Sequence, residues 1–245
     1  MLAELTREEI DAGLDSVAAD VLREARIDRP PVDVFTVARR LGLGIVRNDG
    51  QLGRAQYVRL RGRGRAARPT IALRDDPRPE RRHWAVAHEI GEHVAARVFR
   101  AWDVDPREAP AFREQAANRF ASRLLLPEAW FFPTAAECDW DLVELKRRFA
   151  TASHELIARR MLDRPEPPVI VTILDHGRIT FRCGNTGGRT PPLSPLEREC
   201  QRSAHRTGEP CRGDAPDHIA TAWPIHEPGW PREILRTEPV DFHIT

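Results

Sequence analysis

The stretch from Pro79 to Ala101 limits most tightly how this chain can fold. Trp84, Ala87, Ile90, Gly91, Val94, Val98 and Trp102 recur every three or four positions. That spacing predicts one long amphipathic helix packed along a second element. The helix also carries "HEIGEH", in which His88 and Glu92 stand four apart and project from one side. Two metal ligands are readily held at that spacing, and a carboxylate at the position after the first, Glu89, can act as a base on water. His93 lies about 140° round the axis from His88 on a regular helix. It could share an ion only if a π-bulge re-aimed it. Three readings stand open: Glu92 as second ligand, His93 through a bulge, or no catalytic metal. In the last, Glu92 pairs with Arg97 on the surface, and His83 and His93 are simply exposed.

A metal on such a helix needs a third ligand from a neighbour. Residues 106–126 predict that neighbour, a helix with Phe112, Phe120, Leu124 and Leu125 facing inward and stopped before Pro127. Glu114 opens its segment "EQAANRFASRLLLP" and can point back at His88 and Glu92. Asn118 lies four residues on, over the same face, where it could hold Glu114 or the histidine as an outer partner. Gly91 presents no side chain, so the two helices can approach closely there.

The remaining elements arrange themselves around this pair. Thr6 and Glu9 make a capping box for a helix over 6–26, with Ile10, Leu14, Val17, Val21 and Leu22 as its apolar stripe. A short helix from Asp33 to Leu41, a strand at Gly44–Arg47, and two strands in "RAQYVRL" and "PTIALR" follow. The tip "RGRGRAAR" between those two reads as a solvated turn rather than an anion patch. Residues 140–162 read as two short helices around "ATAS", with helix-turn-helix proportions. "DRPEPP" is a linker, which divides the chain into domains 1–164 and 165–245. The second domain is a small α+β unit: a hairpin in "VIVTIL" and "RITFRC", a helix ending at Gly208, and strands in "IATAWPI" and "REILRTE".

Composition narrows the function classes. Apolar residues make up 41% and charged residues 31% of the 245, as in a folded soluble protein. No apolar run approaches the ~18 residues that span a bilayer, and the start of the chain has no leader pattern, so a cytoplasmic protein with no membrane role is expected. The net charge of +1 gives no bulk attraction to nucleic acid. Lys146 is the single lysine among 38 basic residues, which reflects composition rather than phosphate recognition. Cys138, Cys183, Cys200 and Cys211 show no paired spacing and are expected as free thiols. A groove-facing role for Ser153, His154 and Arg159, with Arg147 and Arg148 on phosphates, is opposed by the acidic run "ECDWDLVE" upstream. Direct nucleic-acid binding is therefore not expected.

In this order, "PPVDVFTVARRLGLGIV", "PTIALRDDPRPERRHWAVAHEIGEH", "EQAANRFASRLLLP" and "RRFATASHELIARRM" resemble the ImmA/IrrE family of zinc endopeptidases. The resemblance covers most of residues 6–162. It implies a mainly helical, zincin-like metallopeptidase domain with a small β-sheet; with the small α+β unit read above from its strand and helix patterns, the expected fold class is α+β. It also implies cleavage of a helix-turn-helix (XRE-type) repressor, with derepression of stress or mobile-element genes. Carried over residue by residue, His88 is the first zinc ligand, Glu89 the catalytic base and Glu114 the third ligand. Glu92 stands where the family has its second histidine. A carboxylate is an accepted zinc ligand, but two carboxylates and one imidazole would make zinc a weaker Lewis acid and raise the pKa of bound water. Manganese becomes an alternative metal. The departure also leaves a second function open, a weak or inactive scaffold that binds a regulator without cutting it. Tyr57, on the strand beside the metal helix, is expected as a packed strand residue rather than an oxyanion donor.

Overall fold

The computed structural model describes residues 5–50, 53–60, 67–105, 110–164, 166–227 and 229–240. The arginine-rich tip at 61–66 and the start of the expected second helix at 106–109 lie outside them. The chain separates into two units, Met1–Trp140 with Leu145–Ser153, and Asp141–Glu144 with His154–Thr245. Helices and two small sheets make the fold α+β, as expected from the sequence.

In the first unit, α1 (Arg7–Glu24) starts on the expected capping box. The Thr6 hydroxyl accepts from the Glu9 backbone N–H, and the Glu9 carboxylate accepts from that of Thr6. Its stripe of Ile10, Leu14, Val17, Val21 and Leu22 is buried. The short helix α2 (Val34–Arg40) is capped by Asp33. It leads into a sheet of β1 (Gly44–Arg47), β2 (Ala55–Leu60) and β3 (Arg68–Leu73). β3 lies in the middle, parallel to β1 and antiparallel to β2, so β2 is an edge strand.

Helix α3 (Pro79–Ala101) spans the predicted residues and buries Ala87, Ile90, Gly91, Val94 and Val98. It packs on α1 and on α4 (Pro110–Leu125). At Gly91 α3 and α4 approach closely. A Cβ there would lie 3.1 Å from the Ala117 Cα, 3.1 Å from the Phe120 ring and 3.2 Å from the Ala117 carbonyl oxygen. Two of these neighbours are backbone and cannot turn aside. Gly91→Val is therefore expected to lower stability by about 2 kcal/mol, read from a urea midpoint. An unchanged midpoint would mean that the helices can part freely.

Trp102 closes the α1–α3 junction. Its indole N–H donates to the Ile10 carbonyl at 3.1 Å, and its ring meets Phe99 and Phe112 at 5.5 Å each. Between α1 and α4, the buried Arg123 pairs with Asp11 and, at 3.3 Å, with Asp15. Both carboxylates, with the Arg119 carbonyl at 3.2 Å, offset the cost of burying that guanidinium. Helix α5 (Glu128–Glu137) is absent from the sequence reading. It begins beside Pro127, contains Pro133 and is apolar nearly all round, so it carries no amphipathic period. At the end of α6 (Leu142–Arg148), Lys146 donates to the Glu80 carboxylate at 2.7 Å and to the Ala150 and Ala152 carbonyls.

The second unit contains α7 (His154–Arg160) and a five-stranded antiparallel sheet in the order β5-β4-β8-β7-β6. Its strands are β4 (Ile170–Asp175), β5 (Arg178–Gly184), β6 (Cys211–Asp214), β7 (His218–Pro224) and β8 (Arg232–Pro239). Helix α8 (Pro195–Thr207) covers one face, begins on a Ser194–Glu197 capping box and ends at Gly208 in the left-handed region. Leu174, Cys200, Ala204, Ala220, Ala222 and Leu235 form the core beneath it. Strand β6 was not foreseen, because four residues with a central glycine carry no strand pattern. The glycine is needed: a Cβ on Gly213 would stand 2.6 Å from the Leu196 side chain of α8. Arg159 lies 4.0 Å over the Phe181 ring and pairs with Glu155 at 2.8 Å, so it packs within its own unit. None of the four cysteines is in a disulfide.

Candidate metal centre

His88 and Glu92 project from α3, and Glu114 comes from the first turns of α4. Their spacing of four places the first two on one face, and the close crossing at Gly91 brings α4 beneath them. One donor atom from each of the three lies within 4.8 Å of the others. The His88 Nε2 stands 3.5 Å from Glu114 Oε2.

Asn118 fixes which nitrogen of His88 is available. Its Nδ2 donates to Glu114 Oε1 at 3.3 Å, since a carboxylate can only accept. Its Oδ1 is then left for His88 Nδ1, 3.1 Å away, which must carry the proton. The Nε2 lone pair is thereby turned toward the carboxylates, the tautomer a metal ligand needs. Asn118→Ala is expected to weaken metal binding by about 10–100-fold, measured by competition with a chromophoric chelator. An unchanged affinity would remove Asn118 from the site.

Glu92 has a partner that sequence reasoning missed. Arg113 donates its Nε to Glu92 Oε2 at 2.6 Å and its Nη2 to the Glu92 carbonyl at 3.2 Å. The surface pair with Arg97, part of one of the three open readings, does not form; Arg97 binds Glu24 at 2.6 Å instead. No spacing signal marks the Arg113 contact, because it joins two helices. His93 turns elsewhere, its Nδ1 3.2 Å from the Tyr57 hydroxyl, and α3 runs as regular α-helix through this segment. His93 and His83 are half-buried rather than exposed. For both, burial lowers the pKa and keeps the ring neutral.

Glu89, next to His88 on α3, is buried. Burial raises its carboxyl above the ordinary glutamate range, while His88 and the backbone N–H of Tyr57 act the other way. The nearby Glu92 and Glu114 raise it further. The donor set tests well for zinc: one imidazole with its lone pair oriented, two carboxylates at helix positions, and an outer amide holding two of the three. Manganese would accept the same oxygens.

A family model described as Peptidase_M78, IrrE N-terminal-like domain, matches residues 38–162, just over half the chain. No curated protein matches in sequence. Among solved structures, a Mycobacterium tuberculosis transcriptional regulator shares the fold at 17% identity and a TM-score of 0.64, over 95% of this chain and 80% of that one. Among the described residues, no helix is long and apolar enough to cross a membrane.

Proposed function

The chain belongs to the Peptidase_M78 family of IrrE N-terminal-like domains, and on that premise we propose that it is a zinc-dependent endopeptidase that cleaves a helix-turn-helix repressor of the XRE type. Family membership points to metal-dependent peptidase chemistry. What carries the reading in this chain is the meeting of His88, Glu92 and Glu114 beside the buried carboxyl of Glu89. Cleavage in the cytoplasm, releasing genes held by the repressor, is the role that goes with it.

A zinc ion held by His88, Glu92 and Glu114 would polarise the scissile carbonyl and make water acidic enough to attack. Glu89 takes the proton of that water on its carboxylate and passes it to the departing amide nitrogen. Its raised proton affinity suits both halves of the transfer, because a base works best when its pKa nears the working pH. Asn118 keeps His88 Nε2 aimed inward. The edge strand β2 lies against α3 and suits an extended peptide that adds a further strand.

Arg113 answers the problem that Glu92 poses. A neutral imidazole, replaced by a carboxylate, adds one negative charge to the ligand set. The Arg113 guanidinium on Glu92 restores the sum that two imidazoles and one carboxylate would have. Zinc would then keep more of its Lewis acidity than the bare His-Glu-Glu set allows.

The test is to mix the zinc-loaded protein with an XRE-type repressor encoded beside it and follow the intact mass of both. Cleavage that stops with a chelator and returns with zinc supports the reading. Stable capture of an uncut repressor by a metal-free protein would support the non-enzymatic scaffold instead.

A further inference from the structure

A second cluster of metal-binding side chains lies in the other unit. The Glu233 carboxylate on β8 is completely buried. Gln201 Nε2 donates to its Oε2 at 3.1 Å, His205 Nδ1 stands 2.7 Å from its Oε1, and His226 Nε2 stands 3.7 Å from the same oxygen. The two imidazoles are nearly perpendicular, with ring centres 5.4 Å apart.

Among the described residues, no arginine or lysine reaches this carboxylate. Arg232, next in the strand, faces the other way and gives its guanidinium to Asp175 and Glu155. A buried carboxylate needs a counter-charge. Among the described residues the side chains that face it are Gln201 and two imidazoles, and a bound cation would supply that charge.

The geometry favours a cation. One donor atom from each of His205, His226 and Glu233 lies within 4.8 Å of the others. Donors about 2.1 Å from a tetrahedral zinc stand about 3.4 Å apart, between the two separations already present. The His205 and His226 side chains are 51% and 32% exposed, so an ion can enter from solvent and keep a water as fourth ligand. Gln201, one turn before His205 on α8, holds the second oxygen of Glu233, as an outer partner of a metal ligand does. Two contacts must change: the His205 Nδ1 proton now shared with Glu233 Oε1 must leave that nitrogen, and His226 Nδ1 accepts from the backbone N–H of Arg232 at 3.2 Å. Ligation of His226 through Nε2 moves its ring proton to Nδ1 and breaks the bond to Arg232.

We propose that His205, His226 and Glu233 bind a zinc-class divalent ion in the C-terminal unit, independently of the centre on α3 and α4. The whole protein would be stripped with a chelator, dialysed against zinc near neutral pH, and assayed for zinc per chain. The parent is expected to hold about two ions. His205→Asn with His226→Gln keeps amide donors toward Glu233 and so preserves the fold, checked by circular dichroism, yet is expected to lose one ion. His88→Ala is expected to lose the other. If the α3–α4 centre binds nothing, the parent holds about one ion and only the His205/His226 variant loses it. Equal zinc in the parent and the His205→Asn/His226→Gln variant overturns the proposal and leaves the hydrogen bonds of Gln201 and His205 as the partners of Glu233.

Discussion

Glu89→Gln is expected to leave a substrate repressor uncut, with a rate loss of about 10³-fold, while zinc content stays that of the parent. The two readouts separate because Glu89 is not among the three converging donors. Glutamine keeps the shape of the side chain and an oxygen that can still accept from the Tyr57 backbone N–H, so its packing survives. What it loses is the ability to take a proton. Mass spectrometry of the repressor with time gives the rate, and elemental analysis gives the metal. Cleavage at the parental rate would remove Glu89 from the mechanism. Loss of zinc together with activity would make its role structural.

The second large effect concerns charge at position 92. Glu92→Ala is expected to weaken zinc binding by roughly 100-fold or more, beyond the range for outer-partner changes. Glu92→His should restore a ligand, but it strands the Arg113 guanidinium near a doubly charged ion. The Arg113 side chain is half exposed, so at a dielectric near that of water and about 5 Å that repulsion is about 2 kcal/mol, roughly thirtyfold in affinity. Adding Arg113→Gln to Glu92→His is thus expected to recover about that factor. In the parent the same arginine change is expected to alter affinity little, since it removes a repulsive charge but also frees Glu92 to move. The measurement is a four-member cycle of zinc affinities by chelator competition. An identical effect of Arg113→Gln in both backgrounds would mean that the arginine does not compensate residue 92.

What could be read in advance follows how local each signal is. Helix α3 and the His88–Glu92 pairing lie in one amphipathic period, and Asn118 lies four residues from Glu114, so ligand candidates and their outer partner were visible as strings. Capping residues fix helix starts within three or four positions, and the Thr6 box marked the start of α1. Contacts between elements were not visible. Arg113 on Glu92, Arg123 between Asp11 and Asp15, and Arg97 on Glu24 all join residues far apart in the chain. Simple proximity in sequence had suggested Arg97 for Glu92, and the tertiary partner won. The His205–His226–Glu233 cluster draws on a helix, a turn and a strand, so no motif spacing could announce it. Helix α5 and strand β6 failed for a different reason: uniform apolarity and extreme shortness each erase the period by which an element is recognised.

The first unit is not one uninterrupted length of chain, since Leu145–Ser153 rejoins it after a departure at Asp141. That return is structural rather than incidental. Phe149 puts its ring 5.5 Å from Phe131, and Lys146 ties the end of α6 to Glu80 at the start of α3. A truncated gene product that stops at Trp140 would contain every proposed zinc ligand of the α3–α4 centre, yet expose the apolar surface that Phe149 covers. Such a fragment is expected to be degraded rapidly by trypsin, whereas one that runs past Ser153 resists.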